Sequence, residues 1–149
     1  MVGVLALVIA LGSCKNRTKN AESNSAATEI VVDQSADIIE KYWKLTAING
    51  EAIPENSMGR EAHIIFKIEE NRIIGNGSCN SFNGQYELKS GNGIALSKIA
   101  STMMACIDME IEGKFLRSLE SYNKYSIVAD TLTLTGTGTS ARFEVVNSR

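Results

Sequence analysis

The sequence predicts a mainly β protein: a small antiparallel, barrel-like sheet, lipocalin-like in outline, with one packed α-helix. Three observations carry this. Apolar and polar residues alternate with period two in short runs between residues 42 and 145. Turn-forming clusters separate the runs: Asn49-Gly50, Glu69 to Asn71, Ser90 to Gly93 and Gly136 to Thr139. Only the stretch from Asp108 to Tyr122 carries apolar residues at helical spacing. Short strands at such intervals, with one helix among them, favour a closed or strongly bent antiparallel sheet.

The chain divides into three expected segments. Residues 1–13 read as a lipoprotein signal peptide, since Val2 to Leu11 is almost wholly apolar and no charge precedes Lys15. The run is shorter than the roughly 20 residues a membrane-spanning helix needs, and small residues follow it. Signal peptides open with Lys or Arg, and Met1-Val2-Gly3 carries neither, which suggests a start a few codons upstream. Leu11-Gly12-Ser13-Cys14 resembles a bacterial lipobox. The resemblance implies lipid on the Cys14 thiol, cleavage before it and acylation of the new amino group. Several acyl chains anchor firmly where one does so only marginally. Residues 14–38 are expected to be that lipidated cysteine and a flexible tether, rich in Asn, Ser, Ala and Thr and without an aromatic residue. About 23 such residues reach roughly 25 Å as a random coil. Within them, Ile30-Val31-Val32 has the composition of an added edge strand. Lys15 after the lipid cysteine, where an Asp would retain a Gram-negative lipoprotein elsewhere, points by analogy to the outer membrane. Residues 39–149 are the expected folded domain.

Within the domain, Trp43, Leu45 and Ala47 alternate with Lys44 and Thr46 as a half-buried strand requires. Ile64, Phe66 and Ile68 share one face of the next strand, and His63, Ile65 and Lys67 the other. Arg72 to Gly75 follows. Phe82, Gly84, Tyr86 and Leu88 line one face of a further strand. Ile94 to Leu96 and Ser101 to Ala105 read as two more short strands. The helix has Asp108 as a cap and Glu110 and Glu112 in its first turn, where its dipole favours anions. Ile111, Phe115, Leu119 and Tyr122 fall on one face. Tyr125, Ile127 and Ala129, then Leu132 and Leu134, and lastly Phe143 to Val145 supply the closing strands.

Composition narrows the function classes. The net charge is −2 among 149 residues, so there is no excess of cations to neutralise phosphates, and nucleic acid is not an expected partner. His63 is the single histidine, which excludes a His-rich metal site and leaves any histidine-based triad dependent on it. No GxGxxG, P-loop or HExxH spacing is present.

The middle of the chain carries the most specific pattern. Gly77-Ser78-Cys79-Asn80-Ser81-Phe82-Asn83-Gly84-Gln85-Tyr86 resembles the GCNxFxGxY signature of META/HslJ domains, with Ser78 where that family usually has Gly. Trp43-Lys44-Leu45 with Asn49-Gly50 is similar to its opening W-x-L…G. Ser101-Thr102-Met103-Met104-Ala105-Cys106 is similar to its T-x-M-A-C segment. Glu110 to Leu119 and Asp130 to Leu134 follow in the same order. The resemblance spans about residues 40–147. It implies a compact barrel-like fold, a cell-envelope address and, in some members, association with heat shock or resistance to novobiocin. It implies no known reaction. The signature residues are Trp43, Gly77, Asn80, Phe82, Gly84, Tyr86, Thr102 and Met104.

Each candidate site has a plain structural alternative. Apart from Cys14, two cysteines remain, Cys79 and Cys106. In an oxidising envelope they suit one disulfide, closing a loop of about 28 residues for about 3.6 kcal/mol; two buried free thiols are the alternative. A zinc site from Cys79, Cys106 and His63 lacks the usual ligand spacing. Asn76, Asn80 and Asn83 among glycines suit a tight bend, with ligand binding by Asn80 as the alternative. Met103 and Met104 are expected to fill a core, and His63 to sit on a solvated face. Neither cofactor nor metal nor catalytic residue is expected. The expected function is a monomeric, non-enzymatic, lipid-anchored envelope protein that supports stress tolerance by binding an unidentified protein or small molecule. Its alternatives are a carrier of a small apolar ligand inside the barrel, or an inhibitor of an envelope hydrolase acting through a loop such as Glu51 to Arg60.

Overall fold

The computed structural model describes residues 34–54 and 59–146. The apolar leader, Cys14, the tether as far as Asp33 with its Ile30-Val31-Val32 patch, and the middle of the Glu51 to Arg60 loop lie outside the described residues.

The described chain forms a closed antiparallel barrel of eight strands, as the alternation predicts. The elements are α1 (Ser35–Ile38), β1 (Tyr42–Ile48), β2 (Glu51–Ala52), β3 (His63–Lys67), β4 (Arg72–Asn76), β5 (Ser81–Lys89), β6 (Gly93–Ser101), α2 (Glu110–Ser118), β7 (Tyr122–Val128), β8 (Thr131–Gly136) and β9 (Thr139–Val145). The order around the barrel is β1-β3-β4-β5-β6-β7-β8-β9, and β9 returns to β1 with Trp43 opposite Val145 and Leu45 opposite Phe143. The two-residue β2 only extends the outer end of β1. Closure removes the unpaired edges that an open sheet exposes.

The antiparallel register sorts the connections between two ends. At the entry end, where β1 begins, lie α1 and the β3–β4, β5–β6 and β7–β8 turns. At the far end lie the β4–β5 loop, the long β6–β7 connection with α2, and the β8–β9 turn.

Inward residues fill the barrel. Trp43, Ile64, Phe66, Ile73, Phe115, Leu119, Leu132, Leu134 and Phe143 have no solvent exposure. The α2 helix lies across the far end. Its Phe115 ring packs edge-on against Phe82 of β5 (5.7 Å) and tilted against Phe143 of β9 (5.8 Å). Those strands stand on opposite walls, so one side chain spans the interior. Phe66 and Tyr86 pack edge-to-face at 5.3 Å across β3 and β5.

Six local readings need correction. Ala47 is only half-buried, because a bulge after Leu45 hands the inward position to Ile48. Ala129 is exposed in the β7–β8 turn at φ +51° and lies outside the strand. Ile68 is 70% exposed, because the chain enters a helical turn there and leaves the alternation. Ile94 to Ser101 belongs to one nine-residue strand, and residues 102–109 are a loop instead of a second strand. Met103 and Met104 are 96% and 47% exposed, so neither fills the core. The main chain of Met104 faces inward to bond Asn80, which turns the side chains outward. Gln34 to Ile38, which composition assigns to the tether, pack on the entry end. Gln34 exchanges two hydrogen bonds with the Ile127 main chain, Ile38 is fully buried, and its carbonyl accepts from Trp43 Nε1 at 2.9 Å.

Candidate functional site

The signature residues of the β4–β5 loop meet the β6–α2 loop at the far end of the barrel. The link begins with Ser81, whose carbonyl accepts from the Thr102 amide at 3.0 Å as β6 leaves the sheet. This brings the TMMAC segment beside the GSCN turn. Cys79 and Cys106 are joined in a disulfide with Cα atoms 6.2 Å apart.

Asn80, 2% exposed, is the hub between the two loops. Its Oδ1 accepts from Thr102 Oγ1 (2.8 Å) and from the Met104 amide (2.7 Å). Its Nδ2 donates to the Met104 carbonyl (3.0 Å) and to Glu112 Oε1 (2.7 Å). Asparagine fits because it carries an acceptor and two donors on one short plane.

Glu112 closes the arrangement from α2. It is 3% exposed, and no described cation pairs with it. Its Oε2 accepts from the Cys79 amide (2.9 Å) and the Asn80 amide (2.5 Å). Burial alone would raise its pKa; the bonds from the Asn80 amide, the Asn80 side chain and the Cys79 amide outweigh it and hold the carboxyl below its ordinary range. Gly77 makes room, since a Cβ there would stand 2.8 Å from Glu112 Cγ. Ser78 has φ +113°, a left-handed conformation that glycine adopts more easily.

The predicted site residues therefore separate into groups. Gly77, Cys79, Asn80, Thr102, Met104 and Cys106 converge around Glu112. Phe82, Gly84 and Tyr86 line the inner wall of β5, with Phe82 beneath α2 and no room at Gly84 for a side chain beside Ile99 and the Ser97 carbonyl. Trp43 lies in the core, away from the cluster. His63 stands on the outer face, stacked on Tyr42 at 4.3 Å, while both cysteines are bonded to each other; the three do not form a zinc site. Asn80 acts through its side chain rather than through a positive φ. The sequence pattern places Glu112 only in the first turn of the helix, where the dipole favours anions. Its spacing of three and seven residues before Phe115 and Leu119 puts it on the buried face, and that was the available signal.

What the cluster holds in place is the loop from Thr102 to Met109. Met103 and Ile107 are 96% and 91% exposed, Met104 and Met109 are partly so, and Asp108 and Glu110 stand beside them. Among the described residues no group of three His, Cys, Asp or Glu side chains could hold a metal ion.

A closed eight-stranded barrel, capped by one helix and carrying a cross-linked loop at its far end, defines the class of protein. The META domain model matches residues 36–147, and the chain belongs to the META domain family. Among solved structures, an NMR structure of a protein from Burkholderia xenovorans is 21% identical with a TM-score of 0.65, covering 77% of this chain and 88% of that one. A second NMR structure is 19% identical with a TM-score of 0.60, covering 74% and 92%. A crystal structure of a DUF4847 family protein from Bacteroides vulgatus is 12% identical with a TM-score of 0.54, covering 74% and 95%. These likenesses are of fold. No curated protein matches the chain.

Proposed function

We propose that this protein is a non-catalytic, lipid-anchored component of the cell envelope, held at the outer membrane through acylated Cys14. It supports stress tolerance by docking a partner protein on the loop Thr102–Met109. The observation that carries this reading is the outward display of Met103 and Ile107 on a loop tied to the barrel by a disulfide and by Asn80. Covering a large apolar side chain releases about 1.5–3 kcal/mol, and a pre-ordered loop loses little entropy on binding.

Two further features support a protein partner. The loop leaves the barrel at the end opposite Gln34, where the chain enters from the tether. Asp108 beside it is repelled by an anionic lipid surface and suits a partner rimmed by Lys or Arg, whereas Glu110 is met by Lys114 at 3.0 Å. The filled interior favours an external surface over an internal carrier. Glu112 is committed to three donors, which leaves it unsuited to general-base work.

The test compares cells carrying wild type, Met103→Ser/Ile107→Ser and Cys14→Ala at equal protein levels. The loop variant is expected to lose heat or novobiocin tolerance as fully as a deletion, while its thermal midpoint stays within about 2 °C of wild type. Cys14→Ala is expected to free the chain from membranes. Full tolerance in the loop variant would sink the docking reading. A wild-type chain soluble without detergent and still starting at Met1 would sink the anchor.

A further inference from the structure

The outer face of β1, β3, β4 and β5 carries a second feature, separate from the loop. Inward alternation on these strands leaves Tyr42, His63, Ile74, Asn83 and their neighbours pointing out, and they line an open trough of about 710 Å³. That volume falls within the range of small-molecule sites, about 300–1,000 Å³.

Two arginines mark its ends. The Arg60 amide donates to the Ser78 carbonyl at 2.6 Å, which sets Arg60 at the far end of the barrel. Arg72 begins β4 at the entry end, opposite Lys67 and Gln85. Along β4, the four steps from Arg72 to Asn76 span about 13 Å of main chain. Both arginines are exposed, and no described carboxylate pairs with either. Glu61 also lines the trough, but its charge is met by Lys44 at 2.9 Å. Burial and its hydrogen bond to Glu61 push the Tyr42 phenol up to about 12, so it stays protonated and its donor is held by Glu61. His63 is oriented by its stack on Tyr42 and by Nδ1 at 3.0 Å from the Glu61 carbonyl, which leaves Nε2 free of that contact.

Between the arginines the lining is neutral and mixed. Ile74 is half-buried, and Ser81 and Asn83 offer a hydroxyl and an amide, while the buried Asn76 amide is bonded to Ser78 and Ser81. We propose that this trough binds a short acidic glycan, two or three sugar units long, with its oxyanions on Arg60 and Arg72 and its hydroxyls on Asn83 and Ser81. The separation of the cations calls for an elongated ligand, and the polar, partly apolar floor suits pyranose faces. An extended acidic peptide fits less well. Both β3 and β4 are paired on both sides, so no free main-chain edge is available to it.

The test titrates the full chain with trigalacturonate, and in parallel with cellotriose, triglutamate and inorganic phosphate. Trigalacturonate is expected to shift the NMR signals of the Arg60 and Arg72 guanidiniums and of His63. Arg60→Gln or Arg72→Gln should each weaken binding about tenfold, with the thermal midpoint unchanged. Asn83→Ala should weaken it less, and Lys124→Gln not at all. No binding of trigalacturonate at millimolar concentration would overturn the proposal. So would equal affinity for cellotriose, which removes the role of the arginines. Equal affinity for triglutamate would mean a peptide site, and equal affinity for phosphate a site for a free anion.

Discussion

A buried carboxylate with no cation partner among the described residues organises the signature of this chain. Glu112 depends on three N–H donors from Cys79 and Asn80, and Asn80 in turn satisfies Thr102 and both main-chain groups of Met104. The folded pKa lies below the unfolded value, so the stabilisation is complete above about pH 4.5 and is lost as pH falls through the folded pKa. Replacing Glu112 with Gln sets an amide donor against the donors it faces. We expect Glu112→Gln to cost about 2–4 kcal/mol at pH 7 and to flatten the acid side of the stability profile. Urea unfolding of both proteins between pH 7 and pH 3 measures it, and parallel acid limbs would contradict the assignment. Ser78 gives a prediction of opposite sign. Its φ of +113° is strained for a residue with a Cβ. Ser78→Gly should raise stability by about 1 kcal/mol, or about 3 °C in Tm, and a lower Tm would count against strain at this position.

At the scale of elements, the disulfide and the Asn80 bonds make one rigid piece from two loops. Removing only the first should loosen the piece without opening the barrel. The Cys79→Ala/Cys106→Ala protein is expected to lose about 2–4 kcal/mol and to keep its strand content. Amide exchange should quicken most at residues 103–109; uniform quickening would mean that the cross-link supports the whole fold. Much of this level was legible in the sequence. The strands β3, β5, β7 and β8 and the first half of β1 follow from alternation, because each has one buried and one outer face. The helix follows from Phe115 and Leu119 on one face. The exposure of Met103 and Ile107 was not legible, since apolar side chains in a short run read as strand or core. The path of the loop at Met104 is set by its main-chain bonds to Asn80, 24 positions earlier, which local pattern does not record.

Across the whole molecule, the entry end is sealed by residues that composition assigned to a linker. Ile38 is fully buried and gives Trp43 its acceptor, although Gln34, Ser35 and Asp37 before it are polar. Deleting residues 1–33 should leave the unfolding midpoint within about 2 °C of the full chain, while deleting residues 1–38 should cost about 3 kcal/mol or more through the lost Ile38 and the unpaired indole. Equal midpoints for the two truncations would show that α1 is an accessory. The same geometry has a consequence for biogenesis. The barrel closes only when β9 lies beside β1, a pairing of Leu45 with Phe143 that joins the two ends of the domain. A chain emerging from the ribosome N-terminus first has no partner for that side of β1 until Thr139–Val145 has cleared. Hairpins between sequence neighbours can form early, but the barrel as a closed unit is completed only when β9 is free to pair, so closure is a late, long-range step.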